Sequence, residues 1–423
     1  MEKTDILYHT LSVCPVCLKR VPARVTADET SVWLEKHCPD HGSVRTMIWA
    51  APAAHYRAWL TDGGVDVDTL PQTEAEAAAL LSASDFCASA ERQPLSSAVM
   101  TTTQCDATCK ICFTREAGEH YEPDVRELRS LIRNYRDLCG PDALLELCGG
   151  EPTTREDLPL IAAIAKEEGF DYIQVNSNGR RLASDPAYCK SLHDSGVTTI
   201  YLSFDGIIPD SPGMKCETIT MEEKELAIAN CQASGLAVVL VPCVVPGRND
   251  DQLSAIVDFA ACHAPTVRGV YYQPVSYFGR FPAKEKTRIT IPEILKCLEA
   301  QTDGRLRESD FLPGAYEWPT CTFQAVYLLD DSDGFYPLTH RQKRLATAEC
   351  YGVSREKTKL LWKPGPDRIL FIGGMAFQDA DTVDLMRLRR CSTQIVCRDG
   401  RMVPLCSKYL TSRSGERLLP GIS

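Results

Sequence analysis

The chain has no apolar run near the ~18–20 residues that a membrane-spanning helix needs. Its opening residues, MEKTDILYHT, lack the charged-then-apolar pattern of a secretory signal, so a cytoplasmic protein with no membrane span is expected. Basic charge is also in deficit. The 46 Lys and Arg against 57 Asp and Glu give a net charge of −11, which argues against a nucleic-acid binder that works by neutralising phosphate. No internal repeat or low-complexity tract is present, which sets aside solenoids and fibrous chains. With 44% hydrophobic and 24% charged residues the composition is that of an ordinary globular protein. At about 100–200 residues per domain, 423 residues suggest two or three domains. What the sequence has in plenty is cysteine, 20 in all. In a reducing compartment these are thiols, and clusters among them read as metal or cluster ligands.

The cysteines divide by position. Cys14, Cys17 and Cys38 lie near the N-terminus, and Cys105, Cys109 and Cys112 form a tight central group. Scattered ones such as Cys148, Cys189, Cys231 and Cys243 sit in apolar stretches and read as small buried hydrophobes. A last set comprises Cys321, Cys350, Cys391, Cys397 and Cys406.

Residues 1–50 read as short strands between two Cys-containing knuckles, and the Ala-rich, acidic 51–95 segment as a helical linker. From residue 96 to about 300 apolar strand runs alternate with helical segments: SSAVMTT, ALLELC, DYIQVNS, TTIYLSFD, LAVVLVP and VRGVYYQ. Near-continuous apolar strands are expected where helices cover both faces, so the pattern predicts an α/β fold of parallel units, a partial (β/α)6 barrel. Residues 301–423 read as an irregular Cys-containing domain that holds a substrate or an auxiliary cluster.

Gln104-Cys105-Asp106-Ala107-Thr108-Cys109-Lys110-Ile111-Cys112-Phe113 directly follows the first of these strands. Three thiolates at this spacing fit one loop around a cubane iron–sulfur cluster. With no fourth cysteine in the loop, one iron keeps an open position where a ligand can bind, as catalytic zinc sites do. The motif resembles the cluster loop of radical S-adenosylmethionine (SAM) enzymes, and the resemblance continues in order along the chain. It implies a [4Fe-4S] cluster at Cys105, Cys109 and Cys112. It further implies SAM contacts at Gly149, Gly150, Glu151 and Pro152, at Asn176, Ser177 and Asn178, at Ser203 and Asp205, and at Val241. All of these fall at predicted strand C-termini, where parallel α/β folds place ligands.

Cys14-Pro15-Val16-Cys17 with Cys38-Pro39-Asp40-His41 describes a zinc-ribbon or rubredoxin-like Cys3His site for zinc or iron. Together with the central motifs it resembles a subgroup that includes tetraether lipid synthases. That likeness extends to Phe377-Gln378-Asp379 through Arg387, to Arg390-Cys391 and to Val403-Pro404-Leu405-Cys406. The late cysteines Cys321, Cys350, Cys391, Cys397 and Cys406 are then ligands of an auxiliary iron–sulfur cluster, holders of a thiophilic substrate, or inert thiols. Surplus thiols suit trivalent arsenic, which prefers thiolates as soft metals do. The first expectation for the reaction is therefore transfer of the 3-amino-3-carboxypropyl group of SAM to arsenite, as in arsinothricin-type biosynthesis. Adenosyl-radical C–C coupling or methylation of a small or apolar substrate is the alternative. A non-catalytic iron–sulfur electron carrier is the alternative of a different class, which would need no SAM pocket. An enzyme of this kind requires an electron donor such as flavodoxin or ferredoxin. No residue is assigned as catalytic from the sequence.

Overall fold

The computed structural model describes residues 5–82, 96–114, 120–140, 143–208, 219–282, 287–314, 317–330, 334–339 and 368–419. At the N-terminus β1 (Asp5–Val13), β2 (Arg20–Ala27), β3 (Val32–Cys38) and β4 (Gly42–Trp49) form an antiparallel sheet in that order. Alternation along β2 and β3 buries Val21, Ala23, Val25, Leu34 and Cys38 on one face. Two helices follow, Ala53–Asp62 and Glu74–Leu81. The second starts in a capping box in which Thr73 and Glu76 satisfy each other's backbone donors.

The six apolar runs read from the sequence form β5 (Ser96–Thr102), β6 (Leu144–Gly149), β7 (Ile173–Ser177), β8 (Thr199–Ser203), β9 (Ala237–Val241) and β11 (Val267–Pro274). The short β10 (Cys243–Val244) pairs with β11 off the main path. Neighbours in the series β5-β6-β7-β8-β9-β11 are all parallel. Successive side chains take opposite faces. Val99, Leu145, Leu147, Ile173 and Val175 pack in the main core with Leu128 and Ile132 of the helix Val125–Cys139 and Ile161 of Leu158–Glu167. Ala98 and Cys148 turn to the other face, into a cluster with Phe278, Ile395 and Tyr409.

Residues beyond 300 form β12 (Thr322–Leu329), β13 (Phe335–Pro337), β14 (Ile369–Met375), β15 (Thr393–Val396) and β16 (Met402–Pro404), separated by loops. They extend the same sheet at both ends. β14 adds parallel to β11 and β15 adds parallel to β5, while β12 and β16 pair antiparallel outside them. Among the described residues this makes a 12-stranded, mostly parallel sheet. Its two ends meet through side chains rather than a ladder: Ser392 donates to Glu317 (2.9 Å), and the Gln378 N–H donates to Cys406 Sγ (3.3 Å). No described helix is long and apolar enough to cross a membrane.

Candidate functional site

The loop that carries Cys105, Cys109 and Cys112 leaves the C-terminal end of β5, and all three thiols are half-buried. Backbone hydrogen bonds in both directions with Arg280 (2.9 Å each) pin Cys112. The Ala107 N–H points at Cys105 Sγ (3.4 Å), and Thr114 Oγ1 lies 3.4 Å from Cys112 Sγ. Burial pushes the Cys105 thiol up to about 11, so a bound cation is what would hold it as thiolate. Among the described residues only the N-terminal ligands gather within 4.8 Å of one another. The wider spread of the loop thiols suits a multi-iron cluster rather than one ion.

Gly149 and Gly150 press against the start of this loop. A Cβ on Gly149 would lie 2.2 Å from the Thr102 carbonyl oxygen, and one on Gly150 2.2 Å from that of Gln104. The contact is hydrogen-bonded, Gly150 N–H to Thr102 O and Glu151 N–H to Gln104 O at 2.8 Å each. Pro152 opens the 3-10 turn that follows. The Glu151 carboxylate is 2% exposed and turned inward. Its Oε1 accepts from Thr153 N (3.2 Å), Thr153 Oγ1 (2.6 Å) and Ser177 Oγ (2.9 Å), and its Oε2 from Asn178 N (2.6 Å). Burial raises its pKa while these donors oppose the rise. Glu151 therefore ties the ends of β6 and β7 together. Replacing Glu151 with Gln keeps the shape but turns one acceptor into a donor facing donors. The variant is expected to lose about 1–3 kcal/mol in denaturant unfolding.

The other strand-end residues converge on the same rim. Asn178 donates to Asp106 of the cluster loop (2.7 Å), and Asn176 accepts from Gln174 (2.6 Å). Ser203 pairs with Val241 in register. Asp205 is buried and accepts from the Cys243 N–H (3.0 Å), while Asn249 bridges the Asp205 and Cys243 carbonyls. The structure thus brings the expected SAM-contact positions to the ends of β6 to β9, and of these the Gly149–Glu151 turn and Asn178 touch the thiol loop. The side chains of Glu151, Ser177, Asn178 and Asp205 are largely engaged in building that rim. A cavity of about 550 Å3 adjoins the loop, lined among others by Cys105, Asp106, Thr114, Tyr121, Lys408 and Tyr409.

At the seam between the sheet ends, Cys321, Cys391 and Cys406 line one narrow cavity of about 20 Å3 with Glu317, Trp318 and Arg387. The three come from a turn before β12, the loop before β15 and the helix Leu405–Tyr409. Arg387 donates to Cys321 Sγ (3.1 Å). Burial raises the Cys321 thiol, and the guanidinium opposes it. Burial pushes the Cys406 thiol up to about 12 and also raises the Cys391 thiol well above its usual range. Two buried donors here, Trp318 Nε1 and Arg387 Nε, have no hydrogen-bond partner, which marks the seam as built for a further acceptor. Cys397 is not part of the group. It packs with Val403 and Leu419, its N–H donates to Arg401 O (2.8 Å), and it borders the larger cavity beside the thiol loop. Cys350 lies outside the described residues. Trp318 and Glu317 were not foreseen, having no motif of their own.

The N-terminal site assembles Cys14, Cys17, Cys38 and His41. Cys14 Sγ and Cys38 Sγ lie 3.7 and 3.5 Å from His41 Nδ1, and Cys17 Sγ lies 3.9 Å from Cys38 Sγ. Two sulfurs on a tetrahedral ion with ~2.3 Å bonds lie about 3.7 Å apart, so the four fit a single zinc or iron. The ribbon docks on the C-terminal segment. Tyr8, Thr10 and Ser12 of β1 donate to Asp384 Oδ2 (2.8 Å), Asp384 Oδ1 and Val383 O (2.6 Å). The buried Lys36 ammonium donates to Ala380 O (2.7 Å).

Comparison with known proteins matches residues 6–50 to the HMPTM N-terminal zinc ribbon domain and residues 99–260 to the radical SAM superfamily. A 7,8-dihydro-6-hydroxymethylpterin dimethyltransferase from Methanocaldococcus jannaschii is 34% identical over 309 residues, 72% of this chain and 60% of that protein. GTP 3′,8-cyclase 1 of Pseudomonas aeruginosa is 29% identical over 186 residues, 42% of this chain and 54% of that one. The chain thus spans between half and two thirds of the length of these curated relatives. A crystal structure of Streptococcus suis SuiB bound to S-adenosylmethionine aligns at a TM-score of 0.42 with 17% identity, covering 50% of this chain and 47% of that one.

Proposed function

We propose that this chain, which belongs to the radical SAM superfamily and carries an N-terminal zinc ribbon, transfers a carbon group from SAM to a small-molecule substrate, with methylation as the transfer. The observation that carries the proposal is the joined rim, where the loop of Cys105, Cys109 and Cys112 is hydrogen-bonded to the Gly149–Glu151 turn and to Asn178. The cluster, when bound, supplies the electron that breaks a C–S bond of SAM. The chain's own residues do the rest. Cys105, Cys109 and Cys112 would hold the cluster, the backbone of Gly149 to Pro152 and the ends of β7 to β9 would offer polar groups to SAM, and Val241 would border its adenine. Methylation is preferred because the M. jannaschii relative is a dimethyltransferase and shares 72% of this chain in alignment. Cys321, Cys391 and Cys406 would hold one compact ligand in the seam, with Trp318 and Arg387 donating to it. The electron donor would be a flavodoxin or ferredoxin.

One observation favours a second reading, the 3-amino-3-carboxypropyl transfer to trivalent arsenic. The seam cavity of about 20 Å3 has room for a single compact ligand among three thiols. Anaerobic assays with CD3-labelled SAM separate the two. With a 7,8-dihydropterin as substrate, the first reading predicts label in the product. Unlabelled pterin, with methylthioadenosine rising when arsenite is added, would replace the first reading by the second.

A further inference from the structure

Tyr409 is 1% exposed, and its hydroxyl has no hydrogen-bond partner. It ends the helix Leu405–Tyr409, the same helix that presents Cys406 to the seam. Its ring packs edge-on against Phe113, the residue after Cys112, at 5.2 Å between centroids, and stacks on Phe278 at 6.5 Å. Its other neighbours are apolar: Ala98, Cys148, Ile395 and Leu405 with Met100 and Phe377. A phenylalanine would fill this space equally well. A buried hydroxyl without a partner costs about 1–3 kcal/mol, so its presence points to a partner that arrives with a ligand. Tyr409 also lines the large cavity beside Cys105 and Asp106.

We infer that Tyr409 donates a hydrogen bond to a sulfur of the cluster that the Cys105–Cys112 loop holds, and thereby sets its reduction potential. The inference rests on the cluster assignment of that loop. The edge contact with Phe113, next to Cys112, and the cavity wall shared with Cys105 and Asp106 place Tyr409 against this loop. Burial raises the phenol well above its usual range, so it stays a donor. Hydrogen bonds to cluster sulfurs stabilise the more negative, reduced state and raise the potential.

The test is an EPR-monitored redox titration of full-length, anaerobically reconstituted protein and of Tyr409→Phe. The Cys105/Cys109/Cys112→Ala variant is titrated beside them to identify the signal of the loop cluster. The expected result is a more negative midpoint for the loop cluster in Tyr409→Phe, with iron content unchanged and, in the protein freed of cluster, thermal stability equal or higher. An identical midpoint would overturn the inference. A fall in SAM affinity at an identical midpoint would overturn it too, and would give the hydroxyl to SAM. If wild type and the triple variant give the same spectrum, the cluster assignment itself fails, and the inference with it.

Discussion

Replacing Cys105, Cys109 and Cys112 with Ala is expected to abolish the absorption near 400 nm that the loop contributes and to reduce SAM cleavage to background. The effect is total because no other described residue can take over. Asp106, the loop's carboxylate, is engaged with Asn178 and with Arg180 (3.7 Å). A cluster needs thiolates, and a thiol raised to about 11 by burial gives up its proton only to a cation. The fold itself should survive, because the thiols are half-buried and the loop's backbone contacts to Arg280 and to the Gly149–Glu151 turn remain. Far-UV circular dichroism checks that point. Iron and sulfide analysis then separates loss of this cluster from any iron retained by the ribbon or the seam.

Asp384→Ala is expected to cost about 4 kcal/mol and to loosen the docking of the ribbon on the C-terminal segment, where the Ser12 and Lys36 contacts remain. The carboxylate is 2% exposed and accepts from Tyr8, Thr10 and the Met386 N–H (2.9 Å). Removing it leaves buried hydroxyls and the start of the helix Leu385–Arg389 without their acceptor. The same helix carries Arg387, which reaches Cys321, so a loosened ribbon also loosens the seam. Denaturant unfolding followed by Trp fluorescence is the check, since Trp33 and Trp49 lie on the ribbon strands and Trp318 lines the seam. Two separated transitions are expected in the variant where the parent shows one. Asp384→Asn keeps the helix cap and should lose less than half as much.

How far the sequence speaks depends on whether the pattern is local. The six strands β5 to β9 and β11 are apolar runs ended by short motifs, and every candidate SAM contact from Gly149 to Val241 sits at one of those ends. The four ribbon ligands are likewise two local pairs, and His41 Nδ1 stands 3.5 Å from Cys38 Sγ. The region beyond residue 300 is different. β15 spans Thr393–Val396 and β16 only Met402–Pro404, too short to show a period. β15 is placed by pairing with β5, hundreds of residues earlier in the chain, and β16 by pairing with β15. The same non-local pairing brings Cys321, Cys391 and Cys406 together and leaves Cys397 packed against Val403. Nothing in the spacing of these cysteines could have sorted them. The inward turn of Glu151 was equally hidden, because it depends on Ser177 and Asn178 arriving on the next strand.

The most direct measurement is the fate of SAM. Anaerobically reconstituted protein is given SAM and dithionite, and the products are quantified by mass spectrometry beside the Cys105/Cys109/Cys112→Ala variant. Reductive cleavage of SAM by the parent and none by the variant is the predicted result. Intact SAM with the parent, or equal cleavage in both, would contradict the assignment of this loop as the reaction centre.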